Sequence, residues 1–166
     1  MEINPSSLVN ILTLRYDPSI EPNLPPKNSK DFLADDKPID IQSFENLICN
    51  EMQNKLETLG DKEISIALSG GVDSTLVLAL LRKIKPEVKL HAVSIKFANS
   101  VDETPAASKI AERFNAEHHI IHLENYLSEL PKAISIIKLP FWDLHWYYVV
   151  KKSSTLSKTL ISGDGG

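Results

Sequence analysis

EISIALSGGVDSTLVLALLRKI, residues 63–84, joins a short apolar run to a longer one through a polar loop holding two adjacent glycines. The first run, EISIAL at 63–68, is short and rich in isoleucine, as a buried strand is. The second, STLVLALLRKI at 74–84, reads as a helix apolar nearly all round, whose faces should both be covered. Between them SGGVDS, 69–74, has the composition of an anion cradle. Glycines let backbone N–H groups converge on a ligand. A helix beginning at about Asp73 would aim its free N–H groups and dipole at the same point. Ser69 and Ser74 add hydroxyls, with Thr75 as a further donor. Asp73 would repel a bare anion, but it suits phosphates that arrive with a divalent cation such as Mg²⁺, which takes carboxylate oxygens. The plainer readings are a tight turn for the glycines and a helix N-cap for Asp73.

The alternation continues on either side. VKLHAVSIKF (88–97) reads as a second strand and EHHIIHL (117–123) as a third. DETPAASKIAERFN (102–115) between them reads as a helix, with acids at its dipole-favoured start and Pro105 in its first turn. Helices follow over about 125–137 and 142–154, and KTLIS (158–162) is a fourth strand running into GDGG. This pattern predicts an α/β fold, a Rossmann-like parallel sheet with helices on both faces. Upstream, apolar residues at 44, 47, 48, 52, 56 and 59 have helical spacing, with Gly60 as the stop. LVNILTLRY (8–16) suggests a short strand. Six of the ten prolines lie in the first 38 residues, so 1–38 reads as a strap or linker and 39–166 as the domain.

Composition narrows the classes. The net charge of −4, with scattered Lys and Arg, argues against a nucleic-acid footprint. A single cysteine, Cys49, excludes a disulfide framework, and its amphipathic setting suits a small buried hydrophobe. No apolar run reaches membrane-spanning length, and MEINPSSLVN lacks the regions of a signal peptide, so no membrane association and a reduced cytoplasmic location are expected. His118 and His122 share one strand face while His119 takes the other. With no Cys or acid seen to complete a ligand set, they read as surface or sheet-edge residues rather than zinc ligands. FWDLHWYY (141–148) reads mainly as core packing.

In an open parallel sheet, ligands bind beyond the carboxyl ends of the strands. Five of the six glycines fall there: Gly70 and Gly71 after the first strand, and Gly163, Gly165 and Gly166 after the fourth. One glycine per loop would serve a turn; two clusters at equivalent ends suggest one ligand held between them. A P-loop lysine and a GxGxxG run are both absent.

ALSGGVDST resembles the pyrophosphate-binding loop of the ATP pyrophosphatases, the SGGxDS family. That family includes asparagine, GMP, NAD and argininosuccinate synthetases and tRNA-modifying enzymes, which cleave ATP between the α and β phosphates. LHAVSIKF, DETPAASKIAERFNAEHHIIHL and LISGDGG further resemble the synthetase domain of asparagine synthetases over about residues 63–166, with a weaker echo in LTLRYDPS. The resemblance implies an adenine nucleotide alpha hydrolase-like fold, with ATP and Mg²⁺ at its site. Ser69, Gly70, Gly71, Asp73 and Ser74 would hold pyrophosphate, with Asp73 on the metal. The backbone at Ala67 and Ile95 would meet the adenosine, and Ser162 and Gly163 would line the nucleotide opposite. Asp164 matches the acid near the acyl-adenylate, where a base or positioning role suits a carboxylate; otherwise it is a helix N-cap. Asp143 is a weaker candidate for the substrate pocket.

The resemblance implies adenylation of a carboxylate, aspartate by analogy, followed by amidation by ammonia. Residue 2 is Glu where the family's glutaminase domain carries a catalytic cysteine. Free ammonia or a separate glutaminase would therefore serve. The family continues SGDGG into an Asp-Glu pair and a helical region. Ending at Gly166 implies a truncated domain with an apolar face for a partner or a homodimer. The rival readings are adenylation of another carboxylate, as in lactam-forming relatives, adenylation of a tRNA base, or a nucleotide-binding or partner module without turnover.

Overall fold

A computed structural model of the chain describes residues 4–14, 17–19, 28, 40–137 and 144–164. Most of the proline-rich strap, Trp142, Asp143, Gly165 and Gly166 lie outside them. The elements are α1 (Pro5–Leu14), α2 (Ile41–Leu59), β1 (Glu63–Ala67), α3 (Val72–Ile84), β2 (Lys89–Phe97), α4 (Thr104–Arg113), β3 (Ala116–Leu123), a 3₁₀ turn (Tyr126–Glu129), α5 (Leu130–Ile137), α6 (Leu144–Ser153) and β4 (Thr159–Ile161). All four strands are parallel, in the order β3-β2-β1-β4. β1 therefore lies where the chain, having stepped outward to β2 and β3, returns on the opposite side. That is the switch point at which open α/β sheets bind ligands.

Strand alternation sorts the core into two layers. Ile64, Ile66, Leu68, Leu90 and Ala92 pack with Leu56, Leu78, Leu81, Ala107 and Ala111 from α2, α3 and α4. On the other face Ile95, Ile121 and Leu123 meet Ala133 of α5 and Tyr148 of α6. Each fully buried Leu or Ile contributes about 1.5–3 kcal/mol against leaving it in water. The helices thus cover both faces, as the alternation predicts.

Several local expectations are corrected. Residues 8–14 are helical, not a strand. Pro5 fits the first turn, and Asn4 accepts a hydrogen bond from the Ser6 amide at 3.0 Å, so a cap prevails over the β-branched composition. α3 is not covered all round: Val72 is 79% and Leu76 49% exposed on its outer strip. The helix expected over 125–137 splits at Leu130, because Asn125 accepts from the Leu127 amide and starts a tighter turn. Cys49 is half-buried. α2 stops at Gly60, in the left-handed region at φ 63°, as expected. No helix among the described residues is long and apolar enough to cross a membrane.

One side chain, unremarked in the sequence, ties the amino end of the sheet together. The Arg82 guanidinium, at the end of α3, donates to the carbonyls of Phe114 (2.8 Å), Asn115 (2.8 Å), Pro86 (2.7 Å) and Val88 (2.9 Å). It joins the turn entering β2 to the turn entering β3, where Asn115 takes a left-handed conformation.

Candidate functional site

β1 ends with its pairing to β2 intact. The Leu68 amide donates to Val93 O at 2.9 Å, and Leu68 O accepts from Ser94 Oγ at 2.5 Å. The chain then leaves the sheet. Gly70, at φ +83°, takes a left-handed turn costly to any residue with a Cβ, and Gly71 follows extended as the N-cap of α3. Thr75 is the first residue whose amide reaches back to Gly71 O, at 3.1 Å. The amides of Val72, Asp73 and Ser74 therefore precede any i−4 carbonyl of the helix, and form a ready set of anion donors.

The serines hold this loop in shape. Ser69 Oγ accepts from the Gly71 amide at 3.2 Å and hydrogen-bonds Ser74 Oγ at 3.1 Å, while the Ser69 amide donates to Ser74 Oγ at 3.3 Å. Ser74 is buried and Asp73 exposed. Asp73 is not the helix cap, since Gly71 is. Its carboxylate has no hydrogen bond or ion pair among the described residues.

The second loop, after β4, abuts the first. A Cβ on Gly163 would lie 2.9 Å from the Asp73 carbonyl carbon, closer than real Cβ atoms come to backbone, and 3.0 Å from the Ser74 nitrogen. A glycine is thus required where the backbone of the SGDGG loop presses on the start of α3. Beyond it the Asp164 amide donates to Ser162 Oγ at 3.3 Å, and Asp164 Oδ2 accepts from Trp146 Nε1 at 3.2 Å.

The two loops open onto one pocket of about 340 Å³, a size suited to a small-molecule ligand. Ala67, Ser69, Asp73, Ser74, Ile95, Ser162, Gly163 and Asp164 line it; Gly70 and Gly71 do not. The structure adds lining residues that the sequence reading passed over. α6 contributes His145, Trp146 and Val149; Trp146 faces the pocket rather than a core. α4 brings Glu103 and Thr104. Asp102 orders that helix start by accepting from the Thr104 amide (3.1 Å) and hydroxyl (2.7 Å), and these bonds hold its carboxyl below the usual range. Only the acids opening 102–115 hinted at Glu103; the family resemblance brought the FWDLHWYY stretch toward a substrate pocket through Asp143, but His145 and Trp146 themselves read as core packing. α6 is set by Glu129, which accepts from Tyr147 Oη at 2.8 Å and Lys151 Nζ at 2.5 Å.

The three histidines lie on β3, an edge strand, as the sheet-edge reading expected, and His122 is exposed, but the other two have more partners than that reading gave them. His118 is half-buried: its ring bridges Ser94 Oγ and Ser108 Oγ, both at 2.8 Å, and burial lowers its pKa. His119 lies beside His91 and Glu117, so an acid and a second histidine do complete a set.

The asparagine synthase family model matches residues 53–166. A putative glutamine-hydrolyzing asparagine synthetase 2 of Methanocaldococcus jannaschii is 33% identical over 117 residues, covering 68% of this chain and 23% of that protein. Asparagine synthetase 1 of Bacillus subtilis is 25% identical over 145 residues, 81% of this chain and 22% of that one. The chain thus spans less than a quarter of the length of these relatives. Among solved structures, NMN synthetase from Francisella tularensis superposes with a TM-score of 0.57 at 17% identity, over 76% of this chain and 56% of that one. An NH3-dependent NAD synthetase from Campylobacter jejuni gives 0.55 at 20%, over 74% and 56%. These likenesses establish the shared fold. With the family match over residues 53–166, two glycine loops in contact at the sheet's switch point, and a pocket between them, the chain belongs to the asparagine synthase family.

Proposed function

We propose that this domain binds ATP with Mg²⁺ and forms an amide through an acyl-adenylate, with aspartate as the carboxylate and ammonia as the nitrogen donor. The observation that carries the proposal is the close approach of Gly163 to Asp73 and Ser74, which brings both loops to one pocket. In this reading the Ser69 and Ser74 hydroxyls, the Gly70–Gly71 turn and the amides of Val72, Asp73 and Ser74 hold the β and γ phosphates. Ala67 and Ile95 flank the adenosine, and Ser162 and Gly163 line its other side.

The residues fit the metal. Asp73 is an exposed carboxylate at the pocket without a hydrogen-bond or ion-pair partner among the described residues, and an oxygen ligand of that kind suits Mg²⁺. Bound there, the ion would offset charge on the leaving pyrophosphate. Glu103 and Asp164 complete an acidic rim. An oxygen of the substrate carboxylate attacks the α-phosphorus; the bond from that phosphorus to the bridging oxygen breaks, and pyrophosphate leaves into the loop. Ammonia then attacks the acyl carbon and AMP departs. Asp164, steered by Trp146, takes up the proton that the ammonium adduct sheds. Most of the catalysis is positioning and charge stabilisation.

The test is release of pyrophosphate and AMP from ATP in the presence of aspartate and ammonia, with a panel of other carboxylates alongside. Release that depends on aspartate and disappears in Asp73→Asn supports the assignment. Release with a different carboxylate would replace aspartate. ATP binding by calorimetry without any pyrophosphate release would make the domain a nucleotide-binding module and sink the synthetase reading.

A further inference from the structure

A second constellation lies at the amino ends of the strands, across the sheet from the nucleotide loops. β2 and β3 pair with His91 opposite Glu117 and Val93 opposite His119, so His91, Glu117 and His119 share one face. His91 Nδ1 is 3.0 Å from His119 Nε2 and 3.5 Å from Glu117 Oε2, and His119 Nε2 is 3.6 Å from Glu117 Oε1. Ligand atoms on a tetrahedral ion with bonds of about 2.0–2.1 Å stand roughly 3.3–3.4 Å apart. The two ring nitrogens stand a little closer than that edge, and each faces a different Glu117 oxygen slightly beyond it. Taken one atom per residue, the three ligand atoms lie within 4.8 Å of one another, so a small turn of the exposed Glu117 carboxylate closes the triangle.

His91 is only 2% exposed, and its other nitrogen, Nε2, is sealed from solvent without a hydrogen-bond partner. A hydrogen bond between the two rings uses Nδ1 and leaves that atom unsatisfied in either tautomer, a costly arrangement for a buried group. An ion on Nδ1 fixes the proton on Nε2, which lies 3.8 Å from the carboxylate of Glu63. That distance is longer than a hydrogen bond, and a small shift of the half-exposed Glu63 side chain would bring its carboxylate onto the N–H, the usual companion of a metal-bound histidine.

We propose that His91, Glu117 and His119 form a three-ligand site for a zinc-class divalent ion, with Glu63 behind His91 and the fourth position open beside the exposed Glu117. Two imidazoles and a carboxylate suit such an ion better than Mg²⁺ or Ca²⁺. Lys89 competes for the site, lying 3.4 Å from Glu117 Oε2 and 3.3 Å from Glu63 Oε1. The site would pin β3 to β2 independently of the nucleotide.

The test is calorimetric titration of the chelator-treated full chain with Zn²⁺, and visible spectroscopy with Co²⁺ in its place. One zinc per chain is expected, with a raised melting temperature and the intense cobalt bands of a four-coordinate ion. His119→Gln and Glu117→Gln should each weaken binding about tenfold or more. Glu117 is exposed, so its variant keeps the fold. Lys89→Gln should bind zinc at least as tightly as the parent. His122→Gln, on the opposite face, and Asp73→Asn, at the nucleotide loop, should leave the cobalt spectrum unchanged. Absence of stoichiometric zinc binding at micromolar concentration, or a cobalt spectrum that survives both His119→Gln and Glu117→Gln, would overturn the site.

Discussion

At the scale of the residue, the tightest constraint falls on Gly163. A methyl group there would push into the backbone of Asp73 and Ser74, not into a side chain that can swing aside. Gly163→Ala should cost about 1–3 kcal/mol by denaturant unfolding. It should also reduce pyrophosphate release about tenfold or more, since small misplacements of reacting groups are costly. Trp146→Phe keeps the packing but removes the N–H that steers Asp164. At this solvent-facing position the loss should be about 1 kcal/mol, roughly fivefold in turnover, with the KM for ATP little changed. His118 supplies a pH signature. Burial, and to a lesser degree the neighbouring His119, depress its folded pKa below the ordinary 6.5. The unfolded chain therefore takes up the proton first: this contribution to stability is complete above pH about 6.5 and declines as pH falls below it. His118→Gln should shrink the stability difference between pH about 7.5 and about 5.5, measured by urea unfolding.

At the scale of the element, Arg82 matters more than its surface-like composition suggests. Its guanidinium satisfies carbonyls from two turns that share no helix or strand. A lysine offers a compact ammonium and cannot span them. Arg82→Lys should destabilise the fold by about 2–4 kcal/mol, given roughly 1.5–3 kcal/mol for a single charged hydrogen bond and partial replacement by water. The resulting loss should appear as faster hydrogen exchange in both turns, 85–88 and 114–116. The same scale shows what the sequence could disclose. α2, β1, α3, β2, α4 and β3 were legible because each carries a local signal: apolar residues at helical or strand spacing, a glycine stop at Gly60, glycines and prolines at the turns between them. Residues 8–14 were not, since their apolar run fits a helix or a strand and the choice rests on Asn4 and Pro5 just before it. Arg82, Trp146 and the set formed by His91, Glu117 and His119 were hidden for another reason. Their partners lie on other elements, and only strand order and register bring them together.

At the scale of the molecule, the sheet has a working end and an anchoring end. Both glycine loops, Glu103 and the start of α6 gather around the pocket at the carboxyl edge, and the motif spacing made the two loops legible there. The remaining wall of the pocket comes from α6, whose approach depends on packing against β2 and the 3₁₀ turn. Ile66, fully buried between the layers beneath that edge, tests how firmly the ends are joined. Ile66→Ala should lower stability by about 2–5 kcal/mol by chemical unfolding. If the core is one unit, unfolding should stay a single transition by fluorescence and circular dichroism. The backbone contact at Gly163 has a further consequence. Because main chain meets main chain, the gap between the loops is a caliper with no adjustable jaw: no rotamer change widens it. The cleft should select ligands by span before any side chain engages them, and its two jaws should exchange their amide hydrogens together, in one opening event.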